Sequence, residues 1–253
     1  MCTIKWFRVQ CVVIKTVLRE VCVMAKVMRQ TLREQVANKL RNKILTGDLM
    51  PGSKIIETDL AEEFGVSRVP VREALMQIEQ EGLLVYISHI GCTVKDFNAQ
   101  DFYEIYLLRG ILEALSISMC DGHFEPETIE KMESILEQMR MVNSVDRFDE
   151  IIDNDNRFHE CIVRECHLNR IYEKWKSMNS ENSVVFYRAI GKKEHVVHNQ
   201  YKIHKEIMDA VKEQDARNTA NVVINHYLST SRGYLNTLKI PFDDFPYKTR
   251  MVF

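Results

Sequence analysis

The chain is 253 residues long, carries a formal net charge of −2 at pH 7, and is 45% hydrophobic and 28% charged. That length supports one or two domains with real cores, and the balance is that of an ordinary water-soluble protein. The near-neutral charge excludes an overall basic field that would draw nucleic acid to the whole surface. Seven cysteines, an odd number in neither disulfide-like nor zinc-finger spacing, exclude a disulfide scaffold. They read as reduced thiols of a cytoplasmic protein. With nine Gly and five Pro in the whole chain, long periodic segments dominate and a mainly α fold is expected.

Residues 1–28 stand apart, with three of the cysteines and many β-branched residues. Lys15, Arg19 and Glu20 interrupt the stretch too often for a membrane span, and it lacks the apolar run and cleavage site of a signal peptide. Two readings fit: an extra helix or strand packed on the first domain, or a leader ahead of a translation start at Met24 or Met28. We take the second. Residues 31–46 read as a helix with Leu32, Val36, Leu40, Ile44 and Leu45 on one stripe. Basic residues concentrate nearby at Arg29, Arg33, Lys39, Arg41 and Lys43. Gly47 ends the helix and Pro51-Gly52 turns the chain, with a short extended piece at Lys54-Ile55-Ile56.

Residues 60–82, LAEEFGVSRVPVREALMQIEQEG, are the most informative stretch. A short amphipathic helix runs to Phe64, a turn lies at Gly65-Val66-Ser67, and a second helix runs from Arg68 to about Gln80. This is the pattern of a helix-turn-helix. Ser67 is a good N-cap and Pro70 lies in the first turn, where a missing N–H costs nothing. Val71, Leu75 and Ile78 anchor one face, and Arg68 and Arg72 project together from another. Two such arginines alone would read as surface charges; the whole stretch points to the DNA major groove. LLVYI and CTVKDF follow as two β-prone runs separated by Ser88 to Gly91, a hairpin signal. His89 is expected to be exposed.

Asn98 and Asp101 mark a new helix start. Helical periods then run to about Lys239, broken at Asp121-Gly122, Asn143-Ser144, His167 to Asn169, Gly191 and Gln214-Asp215. That gives about six helices in a bundle, ahead of an irregular tail at 241–253. Asp155 and His159, at i and i+4, share a helix face. His204 is about ten residues before the turn at Gln214-Asp215 and His226 about eleven after it, so an antiparallel hairpin brings both to one level. One carboxylate and three imidazoles inside a bundle suit a divalent transition metal. Spacing alone leaves open a helix-surface pair and ordinary histidines. His195 and His198 form a competing H-x-x-H near the exposed start of a helix.

LAEEFGVSRVPVREAL resembles the DNA-binding signature of the GntR family of bacterial transcription regulators, and GDLMPGSKIIETDLA resembles its lead-in. The match spans roughly residues 32–94. The second domain resembles the FCD effector domain of the FadR branch through Arg109-x-x-x-Glu113, Asp155-x-x-Phe158-His159, His204-x-x-Ile207-x-x-Ala210 and Asn225-His226-Tyr227-Leu228. Its helix number is closer to the VanR-like group. The resemblance implies a winged helix-turn-helix at 29–96, an FCD-type metal- and ligand-binding and dimerisation bundle at 97–240, and DNA contacts from Arg68, Arg72 and Gly91, the last at the wing tip. It implies a divalent metal on Asp155, His159, His204 and His226, zinc first, with nickel or manganese as alternatives. A small carboxylic acid would bind at or near the metal, and Arg109 would face that cavity. Where some relatives carry a DNA-contacting Arg this chain has Thr58, which can cap the helix or meet a phosphate. Val69 stands where a polar Thr is common.

The expected whole is a homodimeric, cytoplasmic transcription regulator, with no membrane span and no catalytic residues, reading a pseudo-palindromic double-stranded operator. Two alternatives stay open. A metalloenzyme would use the Asp/His3 site to activate water, although no general base sits beside the ligands and Glu160 faces about 100° away from His159. A purely structural second domain would serve dimerisation and folding alone.

Overall fold

The computed structural model describes residues 30–142, 144, 147–190 and 194–242. The leader expected at 1–28, the tail from 243 and the side chains of residues 189–198, His195 and His198 among them, lie outside the described residues. The chain divides into two compact units: the described part of Met1–Leu40 with Ile56–Gln77, and the described part of Arg41–Ile55 with Ile78–Phe253. The division falls inside two helices, α1 (Leu32–Thr46) and α3 (Arg68–Gln80).

In the first unit, α1 starts on a reciprocal cap: Thr31 N–H donates to Glu34 Oε2 at 2.8 Å and Glu34 N–H to Thr31 Oγ1 at 3.2 Å. Helix α2 (Glu57–Phe64) starts at an N-cap, Ile56, with no side-chain bond. Thr58 therefore does not cap it; the exposed hydroxyl donates to Asp59 instead. Gly65 closes α2 in the left-handed region, φ 66°, where its N–H reaches the carbonyls of Ala61 and Glu62. Val36, Ala37 and Leu40 of α1, Leu60 of α2, and Val71 and Leu75 of α3 are all buried. The apolar period thus does the work expected of it, except that Leu32 is exposed.

In the second unit, β1 (Leu84–Ile87) and β2 (Gly91–Val94) pair antiparallel, Leu84 opposite Val94 and Ile87 opposite Gly91. The extended piece at Lys54 bridges to Thr93 as a third edge. His89, at φ 65°, forms the tip of the hairpin, and Gly91 lies just beneath it rather than at it. Seven helices follow among the described residues: α4 (Ala99–Met119), α5 (Pro126–Met141), α6 (Phe148–Glu165), α7 (Asn169–Lys176), α8 (Asn179–Ile190), α9 (Glu194–Glu213) and α10 (Ala216–Thr237). The segment after His167, expected as a single helix, is two. Ser177 Oγ bonds back to the Lys174 carbonyl, Met178 N–H to that of Trp175, and the next helix restarts on the Met178 carbonyl. Helix α4 begins on a full Asn98/Asp101 capping box. It lies along α10 and against α6, while α5 packs on α6 and α9, and α9 and α10 form a hairpin. Side chains of α6, α9 and α10 converge at Asp155, His159, His204 and His226.

Candidate metal centre

Helix α6 places Asp155 and His159 one turn apart on a buried face. The hairpin of α9 and α10 turns at Gln214 and Asp215, where Gln214 takes φ 52° and Asp215 caps α10 through the Asn218 N–H. The two arms bring His204 and His226 level, with ring centroids 4.9 Å apart. One donor atom from each of Asp155, His159, His204 and His226 falls within 4.8 Å of every other. Asp155, His159 and His204 are buried and His226 is half-buried. His204 Nε2 lies 3.2 Å from Asp155 Oδ1 and His159 Nε2 lies 3.9 Å from it. The Phe158 ring stands edge-on to His159 and His204 and closes one wall with hydrocarbon.

These residues fit a bound cation. His159 Nε2 is buried with no hydrogen-bond partner, a costly condition for a polar atom that a metal relieves. The donor set of one carboxylate and three imidazoles suits zinc, nickel or manganese. Burial raises the Asp155 pKa, but the His204 hydrogen bond and the His159, His204 and Arg109 charges outweigh it and hold the carboxyl below its ordinary value. Desolvation, then the charges of His204 and His159, press His226 well below its ordinary pKa and keep it neutral. At His159 burial disfavours the imidazolium, but the Glu113 carboxylate outweighs that and raises the pKa.

Behind the cluster lies a second buried layer. Glu113 takes hydrogen bonds from Trp175 Nε1 at 2.7 Å and Tyr227 Oη at 2.6 Å, and meets His159 Nδ1 at 2.7 Å. Arg109, one turn before Glu113 on α4, is fully buried. Its guanidinium stacks on the Trp175 ring, 4.2 Å from the centroid. It donates to Tyr227 Oη at 3.3 Å, Asn179 Oδ1 at 2.6 Å and Asn156 Oδ1 at 3.4 Å.

In the first unit, α3 presents a different chemistry. Arg68 and Arg72 keep 60% and 58% of their side-chain surface, and Val69 between them is 65% exposed. Both arginines bond one carboxylate, Glu57 on α2: Arg68 Nη2 at 3.3 Å and Arg72 Nη2 at 2.9 Å. This is an exposed basic and apolar helix face of the kind that reads base edges and phosphates.

Comparison with known proteins decides between the readings. Residues 32–94 match the bacterial regulatory proteins of the gntR family, and residues 104–229 match the FCD domain. An HTH-type transcriptional regulator from an unstable DNA locus of Streptomyces ambofaciens is 30% identical over 195 residues, 76% of this chain and 80% of that protein. The chain belongs to the GntR family. The HTH-type regulator YdhC of Bacillus subtilis is 29% identical over 195 residues, 76% of this chain and 86% of that one. The solved E. coli McbR/YncC shares the fold, with TM-score 0.66 and 19% identity over 83% of this chain and all of that chain.

This GntR regulator is accordingly a DNA-binding transcription regulator of the FCD type and not an enzyme. Among the described residues no helix is long and apolar enough to cross a membrane. Sequence reasoning named the four converging residues and both arginines, but missed Glu57, Trp175, Asn156 and Asn179. Glu113 and Tyr227 entered only inside quoted motifs. Arg109 and Glu113 did carry a signal, since their i, i+4 spacing puts both on one face of α4. Trp175 and Asn179 are 62 and 70 residues from their partners, and nothing local marks them.

Proposed function

We propose that this regulator is a ligand-responsive homodimer whose helical domain, residues 97–240, binds a divalent metal and a small carboxylic acid. Its winged head, residues 29–96, would read a pseudo-palindromic operator in the cytoplasm. The observation that carries the metal reading is the buried, partnerless His159 Nε2 among three further donors. Asp155, His159, His204 and His226 would hold the ion, which supplies a Lewis-acidic anchor for a carboxylate oxygen. Arg109 is the buried cation suited to pair with that carboxylate. It would exchange a neutral partner, Asn179 or Asn156, for the charged one. In the head, Arg68 and Arg72 would contact guanine edges or phosphates. Thr58 and the backbone at Gly91 would contact phosphates. Effector binding alters operator affinity only if it favours one arrangement of the dimer over another.

A thermal-shift titration of chelator-stripped protein with zinc, nickel and manganese tests the metal reading, with elemental analysis alongside. At metal 100-fold above its Kd the fold should gain about 2.7 kcal/mol, roughly 5–10 °C in Tm for a chain of this size. His159→Ala and His204→Ala should abolish the shift. A parent protein that takes up no metal sinks the reading. Adding small carboxylates then separates sensor from scaffold: a further shift that requires metal supports an effector site, and none at all makes the metal structural.

A further inference from the structure

We propose that Glu113 is the positioning residue of the metal centre: it holds the His159 proton on Nδ1 and thereby leaves Nε2 as the coordinating atom. The inference rests on the metal reading above and concerns what makes that site competent. Glu113 is completely buried on α4, and its two oxygens have different partners. Oε1 accepts from Trp175 Nε1–H at 2.7 Å and from the Tyr227 hydroxyl at 2.6 Å. An indole N–H can only donate. The Tyr227 oxygen already accepts from Arg109 Nε–H at 3.3 Å, so its own proton points to Glu113. Oε2 is left for His159 Nδ1 at 2.7 Å. A carboxylate can only accept, so a ring proton is held on Nδ1, and Nε2, which faces Asp155 3.9 Å away, is the nitrogen left for an ion.

His204 has its Nδ1 fixed by another route. Its Nδ1 meets the carbonyl of Gln200, one turn back on α9, at 2.8 Å, and its Nε2 faces Asp155. A backbone carbonyl cannot be substituted away, whereas Glu113 can. His159 is thus the ligand whose tautomer depends on a side chain.

The test is Glu113→Gln, which keeps shape and reverses one hydrogen bond. The glutamine carbonyl stays with the two donors, Trp175 and Tyr227, since the opposite orientation would set its NH2 against the Trp175 N–H, which can only donate. The NH2 then faces His159 Nδ1, which must accept, and the ring proton moves to Nε2, where it blocks the metal. Zinc affinity of the full chain is measured by chelator competition for the wild type, Glu113→Gln and Tyr227→Phe. Glu113→Gln should weaken zinc binding about 10–100-fold. Tyr227→Phe, which disturbs the same buried network but leaves Oε2 on His159, should weaken it no more than a few-fold. Equal weakening by both, or unchanged affinity in Glu113→Gln, overturns the proposal. Failure of the wild type to bind zinc would instead remove the metal reading itself. If Glu113→Gln does not fold, the ¹⁵N spectrum of zinc-loaded wild type decides: His159, assigned by its loss in His159→Asn, should be protonated at Nδ1 and metal-bound at Nε2. Coordination through Nδ1 would overturn the assignment.

Discussion

Glu57 occupies the position where two exposed arginines meet, and its charge is what DNA must compete with. Exposed ion pairs of this kind contribute about 1 kcal/mol or less to folding, so Glu57 is cheap to alter and informative for binding. Arg72→Ala should weaken operator binding by about 1–3 kcal/mol. Glu57→Gln should act the other way and tighten it several-fold at fixed salt, because it deletes a negative charge beside the phosphate path. Mobility shifts on both variants at matched ionic strength check the pair. Weaker binding by Glu57→Gln would show that the carboxylate aligns the arginines rather than opposing DNA. At this scale the sequence was most legible where helical geometry converts spacing into position. Asp155 and His159 follow from a 3.6-residue period, and His204 and His226 from equal arms about a turn. Glu57 was invisible because its partners, Arg68 and Arg72, are in another helix, and pattern along one helix says nothing about which carboxylate another presents.

Helices are delimited here by particular caps, and those caps can be tested. Gly122 follows α4 at φ 70°, and a Cβ built there would stand 2.5 Å from the Ala216 nitrogen, at the start of α10. An alanine would pay for the left-handed backbone, about 1–2 kcal/mol, and would also push α10 away from the turn. Gly122→Ala should therefore lower Tm by several degrees in a thermal melt, whereas Gly233→Ala, with open space around it, should not. Equal melting of the two variants would contradict the crowding. The element pattern explains what was readable: Asn98, Asp101 and Gly65 are strong punctuation and placed boundaries correctly. The break at Ser177 and Met178 was not, because neither residue disfavours a helix strongly. It is made by a serine bonding its own backbone and by the packing of Trp175 and Met178, both buried, a tertiary outcome with no local mark. The tip of the wing was displaced by one or two residues for a related reason. Gly91 is the glycine of the loop, yet His89 also takes positive φ, which histidine tolerates better than most residues.

For the whole molecule, the proposed coupling between effector and operator carries a thermodynamic obligation. If a carboxylate changes operator affinity by some factor, saturating operator must change carboxylate affinity by the same factor and in the same sense. Titrating each ligand in the presence and absence of the other, with metal held constant, should return equal ratios; unequal ratios would mean that binding and DNA release are not linked through one equilibrium. The donor set has a further consequence, for time rather than affinity. Asp155 and His204 are 49 residues apart, and His226 lies later still. Asp155 and His159 can meet an ion as soon as one helical turn forms, but the remaining donors arrive only after a long loop has closed. The complete site therefore requires the chain from Asp155 to His226 to have closed. An ion held there is expected to slow unfolding more than it speeds folding, a latch on a structure already made, and folding and unfolding rates measured with and without zinc would check it.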